Sequence, residues 1–120
     1  MTDLSDAEVL EKGAKILSAD GAWTQRTFAR DALGNAYEGY GEQGDIRDFG
    51  AQCFCVFGAL AMAEGAKDPE EARRGHKALM RHLDLPFVAR IADWNDAACR
   101  TQAEVVAALR SAAALARAAS

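Results

Sequence analysis

Five stretches of the chain carry apolar residues at helical spacing, and they frame the rest. From Asp6 to about Ser18, Val9, Leu10, Gly13, Ile16 and Leu17 fall on one stripe, the pattern of an amphipathic helix. Ser5-Asp6-Ala7-Glu8 supplies a capping box at its start: the Ser5 hydroxyl accepts from the Glu8 amide, and Glu8 reaches back. Asp20-Gly21 ends it, glycine suiting the left-handed position past a last turn. Gln52 to Glu64 reads as the central helix, with Cys53, Val56, Phe57, Leu60 and Ala63 on one face and Phe54, Ala59, Ala61 and Met62 making most of the remainder apolar. A helix apolar nearly all round is expected to be buried. After Gly65, Asp68-Pro69-Glu70-Glu71 opens another helix, with Asp68 as cap, Pro69 in the first turn and acids at the positive dipole end. Its stripe is Ala72, His76, Leu79, Met80 and Leu83. A short helix from Phe87 to Asp93 follows Leu85-Pro86, with Val88 and Ile91 inward. A second capping box, Thr101-Gln102-Ala103-Glu104, starts the last helix, about Gln102 to Ala118, which is expected to bury Val105, Val106, Leu109, Ala112 and Leu115.

Between the first two helices the pattern changes. Trp23, Thr24, Thr27, Phe28 and Tyr37 favour strands, and Asp31-Ala32-Leu33-Gly34-Asn35 is a turn cluster, so Thr24–Arg30 is predicted to pair with Ala36–Tyr40 as a hairpin. A lone hairpin is marginal in water and must pack on helices. Glu38 to Asp48, rich in glycine and acids, reads as a flexible surface loop. The expected fold is α+β, mostly α: about five helices around a central buried helix, with one small β-hairpin, in a single domain over residues 1–120.

Composition narrows the function more than it defines it. The 120 residues are 50% hydrophobic and 27% charged, a globular balance. The net charge of -4 argues against a nucleic-acid partner and against attraction to an anionic membrane surface, both of which need a basic face. The acidic, polar start lacks the basic region and apolar core of a signal peptide, and no apolar run is long enough to span a bilayer. The expectation is therefore a cytoplasmic protein, with its three cysteines reduced.

Few residues are arranged for chemistry. No phosphate loop, dinucleotide fingerprint or His-Glu-x-x-His motif is present, so no cofactor is expected. Cys53 and Cys55 point about 200° apart on a helix, and His76 and His82 are not at ligand spacing, so no metal is expected. A thiol-dependent enzyme is the alternative reading, with Cys53 or Cys55 as nucleophile at a helix start and His76 as base. The leading reading is a non-enzymatic binding or regulatory module. Its candidate ligand-binding residues are two tryptophan motifs, Trp23 with Gln25, Arg30 and Asp31, and Trp94 with Asn95, Asp96 and Arg100. The competing structural role is that Arg30 or Arg100 bridges Asp31 or Asp96 to hold the hairpin against the last helix. The partner is a protein or a small molecule of unknown identity, and the small residues of the last helix also permit homo-oligomer formation.

These motifs carry a resemblance. Trp23-Thr24-Gln25, Ala29-Arg30-Asp31, Cys55 with Gly58-Ala59-Leu60, Trp94-Asn95-Asp96, and Arg100-Thr101 with Glu104-Val105 together resemble a family of small uncharacterised bacterial and phage-associated proteins, a domain of unknown function. The resemblance implies a single-domain cytosolic protein encoded on mobile or accessory DNA. It brings no activity, substrate or catalytic residue with it. Glu38 to Asp48 has no counterpart in that pattern.

Overall fold

The computed structural model describes residues 4–119. Among them the elements run α1 (Asp6–Leu17), β1 (Ala29–Asp31), β2 (Ala36–Tyr37), α2 (Tyr40–Gln43, one kinked turn), a 3-10 turn (Ile46–Asp48), β3 (Ala51–Phe54), α3 (Val56–Glu64), α4 (His76–His82), α5 (Arg90–Asp96) and α6 (Gln102–Ala119). The class is α+β, mostly α, as the periodicity indicates. Helix α1 packs along α6 and α3, α4 packs on α6, and α5 packs on α3. Leu10, Leu17, Leu60, Leu79, Ile91 and Leu109 meet in one core, and each is fully buried. No helix of the described residues is long and apolar enough to cross a membrane.

Both capping boxes form. The Ser5 Oγ accepts from Glu8 N at 3.1 Å while Glu8 Oε1 accepts from Ser5 N at 2.9 Å. At the start of α6, Thr101 Oγ1 accepts from Glu104 N at 3.2 Å and Glu104 Oε1 accepts from Thr101 N at 3.0 Å. Gln102 ties α6 to the end of α1 by donating to the Leu17 and Ala19 carbonyls, both at 2.6 Å.

The predicted hairpin is present but shorter, and it belongs to a larger sheet. Strands β1 and β2 pair antiparallel, and β1 also pairs antiparallel with β3, giving the order β2-β1-β3. Strand β3 corrects the expected start of the central helix: Ala51–Phe54 is extended, and the helix begins at Val56 with Cys55 as its cap. The cause is a close approach. Cys55 N donates to Phe28 O at 3.0 Å, and a Cβ on Gly58 would lie 2.1 Å from the same oxygen, so the first turn of α3 sits directly on the backbone entering β1.

Four further expectations change. Asp68 does not start a helix. Its Oδ1 accepts from Glu70 N in a local turn, and α4 begins only at His76, after Gly75 at φ 86°. Gly75 lies against Leu10 so tightly that a Cβ there would be 2.8 Å from Leu10 Cγ. The short helix spans Arg90–Asp96 rather than Phe87–Asp93, so Trp94, Asn95 and Asp96 form its last turn instead of a loop after it. Leu115 is 55% exposed, because the buried stripe of α6 continues through Ala112 and Ala113. Finally, the acidic glycine segment is anchored at Ile46, which is 1% exposed, and Tyr37 Oη donates to Gly44 O.

Candidate functional site

The two tryptophan motifs converge, and Asn95 is the point where they join. Thr24 N donates to Phe54 O at 2.9 Å, and Phe54 N donates to Ala22 O at 2.8 Å, so the chain around Trp23 runs alongside β3. That position sets the Trp23 indole N–H 2.8 Å from Asn95 Oδ1. The same oxygen accepts from Val56 N at 3.2 Å, while Asn95 Nδ2 donates to Thr24 O at 3.2 Å and to Asp96 Oδ1 at 2.9 Å. Asn95 is 1% exposed and uses both ends of its amide, as a buried polar side chain must. Gln25 Nε2 donates to the carbonyls of Asn95 at 2.9 Å and Ala97 at 3.0 Å, which satisfies acceptors at the end of α5. Asp96 Oδ1 accepts from Arg26 N at 2.8 Å.

The other candidates lie around this knot. Arg30 Nε donates to Thr24 Oγ1 at 3.1 Å. Asp31 holds the hairpin turn through Leu33 N at 3.0 Å and Asn35 N at 2.9 Å. Arg100 stacks its guanidinium 4.1 Å from the Trp94 ring centroid and donates to Trp94 O at 2.9 Å. Trp23, Gln25, Asn95 and Asp96 are thus brought together, while Asp31 and the Trp94–Arg100 pair stand apart. The two indoles do not stack on one another. Most polar atoms of the knot bond to each other or to backbone, so the knot itself fastens the chain before β1 to the end of α5.

Beside the knot lies a groove made of two adjacent pockets that share part of their lining. Its smaller lobe, about 370 Å³, borders Asn95 and Asp96 and has Arg26 and Glu38 at its mouth. Its larger lobe, about 810 Å³, runs to Pro69, Arg73, His76 and Lys77. Phe28, Phe57 and Ala92 line both lobes. The contact of Gly58 with Phe28 O fixes the spacing of two of these three residues. Arg26 has φ 68°, a left-handed conformation that costs a residue with a Cβ about 1 kcal/mol or more. Sequence reasoning missed Arg26, Phe28, Phe57, Ala92, Arg73 and Lys77 as site residues. They come from separate segments with no shared local motif: Phe28 reads as a strand residue, and Phe57 as part of the apolar face of the central helix.

His76, a sequence candidate, lies in the wall of the larger lobe. It is 4% exposed, and its ring stacks on Phe57 with centroids 5.5 Å apart and planes at 18°. Nδ1 lies 3.2 Å from Arg74 O. Since a carbonyl only accepts, Nδ1 carries the proton. Burial lowers the pKa below the ordinary 6.5, which keeps the ring neutral and makes Nε2 an acceptor. No group of the described residues donates to Nε2.

The cysteines do not join His76. Cys55 is buried at the start of α3, where its Sγ accepts from Gly58 N at 3.5 Å, and burial pushes its thiol up to about 11. Cys53 lies on β3 with Sγ 4.0 Å from Arg30 O. Neither thiol is hydrogen-bonded to an imidazole, and the buried Cys55 thiol, held protonated, is a poor nucleophile. Among the described residues no three His, Cys, Asp or Glu side chains gather as metal ligands would.

Fold and groove together define a small, mostly helical α+β protein with a two-lobed pocket beside a buried polar knot. The chain belongs to the family of unknown function DUF6197, whose model matches residues 1–115. Comparison with curated proteins and with solved structures yields no match.

Proposed function

We propose that this protein is a non-enzymatic binding module that holds a small molecule in the two-lobed groove. The observation that carries the reading is the groove itself: about 810 Å³ in its larger lobe, mostly apolar walls, and a few polar groups at its ends, the usual make-up of a small-molecule site. Arg26 supports it, because it brings a charged side chain to the smaller lobe from a strained left-handed backbone. The high thiol pKa of Cys55 and the lack of a cysteine partner for His76 weigh against the thiol-enzyme reading. The tryptophans contribute by fixing the wall that Asn95 and Asp96 present to the smaller lobe.

The test is ligand-observed NMR of the full chain against a mixture of small aromatic and aliphatic compounds, repeated with Ala92→Trp. Ala92 lines both lobes and is half-buried, so the larger side chain fills the groove without displacing core atoms. Compounds that bind the unmodified protein and lose affinity for a folded Ala92→Trp variant are expected. Equal binding to both proteins, or no binding to either, would overturn the reading.

A further inference from the structure

The chemistry of the larger lobe specifies part of its ligand, and this inference rests on the binding reading above. We infer that the larger lobe takes a small planar aromatic molecule bearing an N–H or O–H group, which donates to His76 Nε2. Three observations lead there. First, the Nδ1–H bond to Arg74 O leaves Nε2 with a lone pair directed outward in the ring plane. Second, His76 lines the lobe, and its Nε2 is buried and accepts no hydrogen bond from the described residues. An unmet buried acceptor is costly, so a donor that meets it is selected strongly over an analogue lacking it. Third, Phe28, Phe57, Pro69, Ala72 and Val88 give the lobe apolar walls that include two aromatic rings, which favour an aromatic body over a flexible polar one.

The geometry fixes the approach. Phe57 covers a face of the imidazole, so the ligand's donor arrives edge-on, in the ring plane, and the stack is retained. Nε2 is buried, so a ligand donor reaches it only when the side chains around it give way. Glu70, Arg73 and Lys77 form the exposed rim of the lobe, with Arg73 held by the Glu70 and Ala72 carbonyls. With one acid and two bases, that rim is net positive in a chain of net charge -4, so a carboxylate on the ligand's outer end adds affinity.

The experiment uses matched pairs that differ only in the donor: phenol and anisole, indole and 1-methylindole, 4-hydroxybenzoate and 4-methoxybenzoate. Each is titrated into the full chain with 15N-labelled histidine. The chain has two histidines, so His82 is an internal control. The donor member of at least one pair is expected to bind about tenfold more tightly than its methylated partner. It should also shift the His76 Nε2 resonance while His82 stays still. His76→Phe, which keeps the stack and removes the acceptor, should bring the two members of that pair to equal affinity. Methylated and donor members binding alike, with His76 unmoved and binding still abolished by Ala92→Trp, overturn the donor inference and leave the groove as a binding site. Binding by no member of the panel overturns the inference for this ligand class. A failure of the broader compound mixture would remove the binding reading with it.

Discussion

Replacing Asn95 tests whether the tryptophan knot is a fastening or a recognition surface. Asn95→Ala removes the acceptor of Trp23 Nε1 and Val56 N and the donor to Thr24 O, leaving three groups without their partner. At roughly 1–1.5 kcal/mol for each group so stranded, the loss is about 3–5 kcal/mol. A typical domain has only about 5–15 kcal/mol to lose. Asn95→Asp is the sharper change, since it swaps one atom. Oδ1 still accepts from Trp23 and Val56, but an oxygen now faces Thr24 O and Asp96 Oδ1, where the native distances are 3.2 and 2.9 Å. The introduced carboxyl is held neutral by these neighbours, so its folded pKa rises above the unfolded value of about 3.9. The sign follows: the variant's deficit is small below that value and grows as pH rises through it. Urea unfolding followed by tryptophan fluorescence, extrapolated linearly, measures both effects. A loss under about 1 kcal/mol for Asn95→Ala at unchanged slope would refute the reasoning, as would a pH-independent deficit for Asn95→Asp.

Three other expectations can be checked on the same protein. Gly58→Ala should cost about 3 kcal/mol or more, because its Cβ would lie 2.1 Å from Phe28 O, a backbone atom. Gly13→Ala, whose Cβ meets only side-chain atoms, Leu60 Cδ2 at 3.1 Å and Leu109 Cδ1 at 3.9 Å, should shift the urea midpoint far less, helped by helix propensity. If the two glycines respond alike, the close approach of α3 to β1 is wrong. Thiol labelling near pH 8 should modify Cys99, which is exposed, well before Cys55, which is enclosed and protonated; equal rates in the native protein would contradict the burial. For His76 the folded pKa lies below 6.5, so the unfolded chain binds the extra proton and stability falls as pH drops below about 6.5. His76→Phe should flatten that slope, while the loss near pH 4 from Glu8 and Asp31, whose carboxyls hydrogen bonds hold below their ordinary range, remains in both proteins.

Elements specified by neighbouring residues are legible in the chain. Ser5 with Glu8, Thr101 with Glu104, and Gly65 mark helix ends by bonds within a few residues, and the turn around Asp31 and Asn35 is equally local. What escapes is set by contacts distant in sequence. Cys53-Phe54-Cys55-Val56-Phe57 is an apolar run that suits strand or helix, and the choice falls to pairing with β1 more than twenty residues earlier. Asp68-Pro69 has the look of a helix start, yet Gly75 against Leu10 decides where α4 begins. For the site, the tryptophan motifs do identify residues that meet in space, because both carry unusual polar neighbours. The groove beside them does not announce itself, since Phe28, Phe57 and Ala92 each look like ordinary apolar positions until three elements bring them together.

The Trp23–Asn95 bond also bears on how the molecule reaches this structure. It joins residues 72 apart, and Gln25 reaches α5 over similar distances. Closing a flexible loop of that length costs about 4 kcal/mol of chain entropy, so the bond becomes favourable only after nearer pairings such as β1 with β2 have formed. Substitutions at Asn95 should then accelerate unfolding and leave the refolding rate almost unchanged, a φ-value near zero. A φ-value near one in stopped-flow refolding would mean that this link nucleates folding instead. On the late-closing order, the wall that Asn95 and Asp96 give the smaller lobe forms after the β1–β2 pairing and opens before it.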